Sequence, residues 1–203
     1  MKIRRVFSIK SMTIMAMLAA MAIVLMIFNF PLWFTPPFYK LDFSEVPVLI
    51  GAFSLGPVAG VIIELLKVLV NLVIDGTTPA AVGEFANFLI GCSMVVHASI
   101  MYHRNKTLKS AIKGLIVGTV FVVVFGSLIN AFVLLPTYAH FFKMPISELI
   151  AMGTKVNLAI KDMKTFIFYG VAPFNLIKGV SASLITLLIY KRISGVIKSV
   201  LGR

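Results

Sequence analysis

The sequence predicts an all-α membrane protein with six transmembrane helices, the second of them short, and long external loops after helices one and five. Three observations predict it. Of the 203 residues 60% are hydrophobic and only 13% charged, and the apolar runs exceed what a soluble core of this length buries. Several runs approach the ~20 residues that a helix needs to cross a bilayer. The charges sort by segment: 1–10, 103–113 and 191–203 hold Lys2, Arg4, Arg5, Lys10, Arg104, Lys106, Lys109, Lys113, Lys191, Arg192, Lys198 and Arg203, with no Asp or Glu. The alternate segments carry Lys40, Asp42, Glu45, Asp75, Glu148 and Asp162. By the positive-inside rule the basic segments face the cytoplasm, so both termini are expected there and the number of crossings is even. The net charge of +12 is thus explained by an anionic membrane surface and gives no reason to invoke nucleic acid.

The spans expected are Ile9 to Phe28, Ser44 to Leu55, Val58 to Ile74, Ala80 to Tyr102, Lys109 to Pro136 and Lys164 to Tyr190. The first is too long for a cleaved leader and is expected to stay attached. The second, at ~18 Å of helix, falls short of the ~30 Å hydrocarbon layer and must be tilted into protein, thinned around, or partly re-entrant. Gly56 and Pro57 turn it into the third span, and Asp75-Gly76-Thr77-Thr78-Pro79 gives a turn with Pro79 opening the fourth. The single cysteine, Cys92, has no intrachain partner and lies in an apolar stretch, as a packing or lipid-facing residue would.

The segment Asn29 to Asp42 gathers Phe30, Trp33, Phe34, Phe38 and Tyr39 among three prolines. It reads either as an interfacial aromatic belt or as a lid over a flat ligand. Between Thr137 and Asp162 a Pro-Ile-Ser-Glu start and helically spaced apolar residues predict a short amphipathic helix, lying over the outer mouth or anchoring in the interface.

Polar residues inside the spans carry the functional signal. Glu64, Lys67 and Asn71 share one face of the third helix, where Glu64 and Lys67 can neutralise each other. Glu84 and Asn87 lie near the external end of the fourth, with His97 further down as a packing residue. Asn130 is on the fifth, and Asn175 and Lys178 are on the sixth, just after Pro173 has freed a backbone carbonyl. A lysine at such depth costs a few kcal/mol unless something answers it. Counting ~1.5 Å per residue from the outside puts Asn130 ~9 Å down, Asn175 and Lys178 ~16–21 Å down, and Glu84 ~6 Å down. One outward-facing pocket accounts for them with fewer assumptions than several independent packing pairs. There is no phosphate-binding glycine loop, no metal-ligand cluster and no nucleophile with a base at its depth, so no catalysis and no metal are expected, and ATP would have to be used by another chain.

A short six-span chain, the stretch KLDFSEVPVLIGAFSLGPVAG from Lys40 to Gly60, and PFNLIKG from Pro173 to Gly179 together resemble the riboflavin-binding S components of energy-coupling factor (ECF) transporters. The resemblance spans essentially the whole chain, and LDFSEVP and FNLIKG are the parts more particular to the flavin branch. It implies vitamin capture at the outer face of a bacterial cytoplasmic membrane, with riboflavin, and flavin mononucleotide as a second candidate, as the transported ligand and no cofactor. It also implies a membrane scaffold subunit and two ATPases as partners. The family's ligand-contacting asparagines and lysine fall on Asn130, Asn175 and Lys178. Glu84 and Asn87 join them in the candidate set, as do Trp33, Phe38, Leu41 and Asp42 of the first loop. Ala16 and Ala20, in a small-xxx-small pattern with Ala19 and Ala22 nearby, match the family's scaffold contact, although ordinary intramolecular packing reads equally well.

Riboflavin suits such a pocket chemically. Its pyrimidine edge offers carbonyls and an N–H to the two asparagines, and Lys178 can donate to a carbonyl or hydroxyl. Being neutral, it leaves Lys178 in need of a carboxylate or backbone carbonyls, for which Glu84 is the candidate. An S component for another vitamin such as thiamine or biotin, a non-transporting scaffold subunit, and an intramembrane enzyme are the alternatives.

Overall fold

In the computed structural model, residues 7–74, 76 and 81–201 are described. The expected helix start at Pro79, the Ala80 boundary of the fourth span, and Lys2, Arg4, Arg5, Asp75 and Arg203 lie outside the described residues. The chain is nearly all helical. Among the described residues five helices are long and apolar enough to cross a membrane: Ile9–Ile27, Pro57–Ile74, Val82–Asn105, Leu108–Phe141 and Met163–Tyr190.

Helix α1 (Ile9–Ile27) opens on Ser8, whose side chain accepts from the Ser11 amide, and closes before the Asn-Phe-Pro that cannot continue a helix. A two-residue antiparallel ladder then forms, β1 (Phe30–Pro31) against β2 (Lys40–Leu41), pairing Phe30 with Leu41 and Pro31 with Lys40. The all-α expectation did not include it. It ties the two ends of the aromatic segment together and so fixes where Tyr39 and Asp42 sit.

Helix α2 (Glu45–Leu55) is short because it does not face lipid. Every residue in it except Ser54 is buried, and it packs on α1, α3, α4 and α9 together. Gly56, at a φ of 112° open to glycine, ends it, and Pro57 begins α3 (Pro57–Ile74) in the position where a missing N–H costs nothing. The buried stripe of α3 includes Glu64, Lys67 and Asn71, so its polar face points inward and its apolar face outward, as a lipid-embedded helix requires. Helices α4 (Val82–Asn105) and α5 (Leu108–Ile129) pack closely, and a Cβ at Gly114 would sit 2.5 Å from the Ala98 carbonyl oxygen.

Two helices are interrupted by π turns, each for the same reason. Residues Asn130–Leu134 form one before α6 (Leu135–Phe141), and Ile167–Val171 form another between α8 (Met163–Phe166) and α9 (Ala172–Leu201). Pro136 and Pro173 lack an amide hydrogen and would clash with the carbonyls of Phe132 and Tyr169, four residues earlier, which lie inside these turns. One extra residue per turn relieves the clash and re-aims the neighbouring side chains. The two π turns touch each other. The amphipathic helix α7 (Ile146–Val156), which follows α6 in sequence, buries Leu149 and Gly153, and an Asp162–Thr165 capping box starts α8.

Candidate functional site

A cavity of about 390 Å³ opens where α1, the aromatic loop, α3, α4, the Asn130–Leu134 π turn, α6 and α9 converge. This size is within the ~300–1,000 Å³ usual for small-molecule sites. Among the candidates, Phe38, Asp42, Glu84, Asn87, Asn130, Asn175 and Lys178 all line it. Leu41 is buried in the adjoining apolar cluster and Trp33, 82% exposed with its ring edge-on to Phe34, stands apart from the lining. The loop residues that reach the cavity are Asn29, Phe38, Tyr39, Lys40 and Asp42.

Lys178 is answered by Asp42. Its Nζ lies 3.3 Å from Asp42 Oδ2 and donates at 3.3 Å to Asn87 Oδ1. The expected carboxylate was Glu84; the partner comes instead from the loop, because the β1–β2 ladder and the Ser44 turn hold Asp42 over α9. Ser44 donates to Asp42 Oδ1 from its amide at 2.8 Å and from its hydroxyl as well. Burial pushes the Asp42 carboxyl up, but the ammoniums of Lys178 and Lys67 and the two Ser44 bonds outweigh it and hold the group below the ordinary carboxylate value.

Beneath this pair lies a second ionic group. Lys67, with no exposed side-chain surface, contacts Glu64 at 2.8 Å and Glu45 at 2.9 Å. The Glu64 contact follows from their i, i+3 spacing. Glu45 arrives from α2 and could not be paired with Lys67 from the sequence. A Cβ at Gly91 would run into the Glu64 carboxyl, so this glycine makes room for the cluster.

The asparagines differ in what they offer. Asn130 Oδ1 accepts from the Tyr39 hydroxyl at 2.6 Å, and its Nδ2 donates to the Gly126 carbonyl at 2.7 Å. Burial, with Tyr138 adding, drives the Tyr39 phenol well above its ordinary range, so it remains a neutral donor. Tyr39 packs its ring on Phe38, Phe166 and Phe174, fastening the loop to the bundle. The Asn175 Nδ2, by contrast, is buried with no hydrogen-bond partner among the described residues. A buried donor left unmade costs about 1–3 kcal/mol, which a ligand acceptor in the cavity can recover. Gly126 is what lets Asn175 stand there, since a Cβ would lie 2.6 Å from that nitrogen.

The cavity therefore presents the free Asn175 amide, the second Asn130 N–H and the Lys178 ammonium as donors beside aromatic faces from Phe38, Tyr39, Tyr138 and Phe174. Such a site suits a flat ligand with an acceptor-rich edge. Tyr39, Glu45, Asn71 and Phe174 were not among the expected site residues; Tyr39 had a signal as part of the aromatic loop and Asn71 as part of the polar face of the third helix, while Glu45 and Phe174 lie in the two quoted motifs. His97 is a packing residue, bonded to the Ser93 carbonyl at 2.6 Å and stacked on Phe121. Ala16 and Ala20 face outward on α1, while Ala19 and Ala22 pack inward.

Known proteins resemble the chain over nearly all its length. The riboflavin transporter RibU of Staphylococcus aureus (strain TCH60) is 38% identical over 191 residues, 94% of each chain. The riboflavin transporter FmnP of Bacillus subtilis (strain 168) is 30% identical over 183 residues, 90% of each. A solved structure described as the S component of a bacterial ECF transporter superposes with a TM-score of 0.71 at 36% identity, covering 92% of this chain and 96% of that one. Residues 10–190 match the family described as the substrate-specific component of ECF transporters, and the chain belongs to that family.

Proposed function

We propose that this chain captures riboflavin at the cavity and serves as the substrate-binding subunit of an ATP-driven ECF transporter in a bacterial cytoplasmic membrane. The observation that carries the reading is the unpartnered, buried Asn175 donor beside Lys178, in an aromatic-walled cavity, in a relative of riboflavin transporters. In the bound state Asn175, Asn130 and Lys178 meet the carbonyl edge of the isoalloxazine, Phe38 and Phe174 flank the ring, and Glu84 and Asn87 border the site. Because Asp42 already neutralises Lys178, the ligand itself can be neutral. Lys40, exposed at the lining, gives a ligand phosphate one cation to meet, which supports flavin mononucleotide as a second ligand.

The short α2 counts as a sixth crossing embedded in protein, which puts both termini in the cytoplasm and the cavity on the outer side. The outward-facing Ala16 and Ala20 contact the membrane scaffold subunit, which links the chain to two ATPases. The chain performs no chemistry and needs no cofactor. The test is a competition experiment on the purified protein: riboflavin displaces bound flavin while thiamine and biotin at the same concentration do not. Displacement by thiamine or biotin would reassign the ligand.

A further inference from the structure

A second concavity, of about 560 Å³, lies on the outer surface of the bundle between α5 and the α8–α9 helix. It borders the π turns from behind, since Ala131 and Ile167, which help line it, belong to those turns. The half-buried small side chains of Ser127, Ala131 and Ala172 leave space that the exposed rings of Phe132 and Phe168 flank. From Lys164 to Ala172 the lining follows the helix for about 12 Å at ~1.5 Å per residue. Only two lining side chains are polar. Lys164 is exposed at the helix start and makes no ion pair among the described residues. The carboxylate nearest to it in sequence, Asp162, is engaged by the Thr165 amide and hydroxyl. Ser127 Oγ is buried and has no partner among the described residues.

We propose that this groove binds one anionic phospholipid, with an acyl chain along the apolar slot, the phosphate at Lys164 and an ester carbonyl accepting from Ser127. An apolar slot with a cation at one end and a single unmatched hydroxyl along it has the amphipathic order of a phospholipid. A neutral lipid would satisfy the slot and leave Lys164 without its counter-charge; a soluble anion would satisfy Lys164 and leave the slot empty. Lipid seated here packs behind the two π turns and so supports the backbone that aims Asn130 and, one turn further on, Asn175.

The test is native mass spectrometry of the delipidated full chain with equal amounts of dioleoyl phosphatidylglycerol and dioleoyl phosphatidylcholine. One cation at a membrane surface contributes ~1 kcal/mol, so phosphatidylglycerol adducts should exceed phosphatidylcholine adducts about fivefold. Lys164→Gln should bring the two to parity with an unchanged thermal midpoint, and Ala172→Phe, which fills the slot, should reduce both. Equal retention by the unmodified protein, an unaltered preference in Lys164→Gln, or a lipid-free dimer covering the groove would overturn the proposal.

Discussion

The Tyr39 hydroxyl and the Asn130 side-chain oxygen lie 2.6 Å apart, joining the loop after α1 to the π turn that ends α5. Ninety-one positions separate them in sequence, and the bond is buried. It fixes which face of the Asn130 amide looks into the cavity, and it fastens the loop that lines the cavity. Tyr39→Phe leaves a buried acceptor unmade, at a cost of about 1–3 kcal/mol. We expect the loop to lift more readily and ligand dissociation to quicken by roughly 10-fold, read by stopped-flow flavin emission. An unchanged dissociation rate would mean the loop is held by its ring packing alone.

Lys178→Met should reduce riboflavin affinity by about 10–100-fold, the worth of a hydrogen bond to a charged donor. Asp42 keeps both Ser44 bonds and the nearby Lys67 ammonium in this variant, so the protein still folds, with a lowered thermal midpoint. Equilibrium titration and circular dichroism on one preparation check the two halves of the statement; unaltered affinity removes Lys178 from the site.

Gly126→Ala tests the placement of Asn175. The added methyl would sit 2.6 Å from Asn175 Nδ2 and must turn the amide away from the cavity. Affinity should fall about 5–10-fold, one neutral hydrogen bond, with helix content unchanged. Titration of the variant with riboflavin decides it.

The buried Glu45–Lys67–Glu64 group predicts non-additivity. Lys67→Met strands two carboxylates and should destabilise the protein by about 3–5 kcal/mol. The triple change with Glu45→Gln and Glu64→Gln should recover most of that loss, because no charge is then left unpaired. Thermal midpoints in detergent, measured on the single and triple variants, provide the comparison.

The Asp42 carboxyl sets an acid limit. Its folded-state value lies below the ordinary 3.8, so its contribution to stability is fully present above 3.8 and is lost as the pH falls through the lower folded value. The part of riboflavin affinity that depends on Asp42 should thus be level between pH 7 and about 4.5. An Asp42→Asn comparison isolates this group; a decline in the wild type within that range that Asp42→Asn lacks would contradict the assignment.

Much of this site was legible because bilayer depth restricts what polar residues can be doing. Asn130, Asn175 and Lys178 stand at depths that a rise per residue can count, and they share one cavity. Glu64 with Lys67 was legible from helical spacing, and the shortness of α2 left embedding in protein as one of three readings, the one its burial matches. Pairings that depend on tertiary approach were not legible. Glu45 reaches Lys67 only because α2 is sunk between four helices, and Asp42 reaches Lys178 only because a two-residue ladder folds the loop back. Trp33 has the same aromatic character as Phe38 and Tyr39, and nothing local tells which ring turns inward. The π turns were half visible: Pro173 announced a disturbed helix and Pro136 was read as the end of one, but neither tells a kink from an inserted residue.

The most direct measurement is a flavin-emission titration of the purified chain and of Asn175→Leu side by side. The account predicts saturable one-to-one quenching by the unmodified protein and a clear loss of affinity in the variant, with both proteins equally folded. A well-folded unmodified protein that leaves riboflavin emission untouched, or an Asn175→Leu variant that binds as tightly, would contradict it.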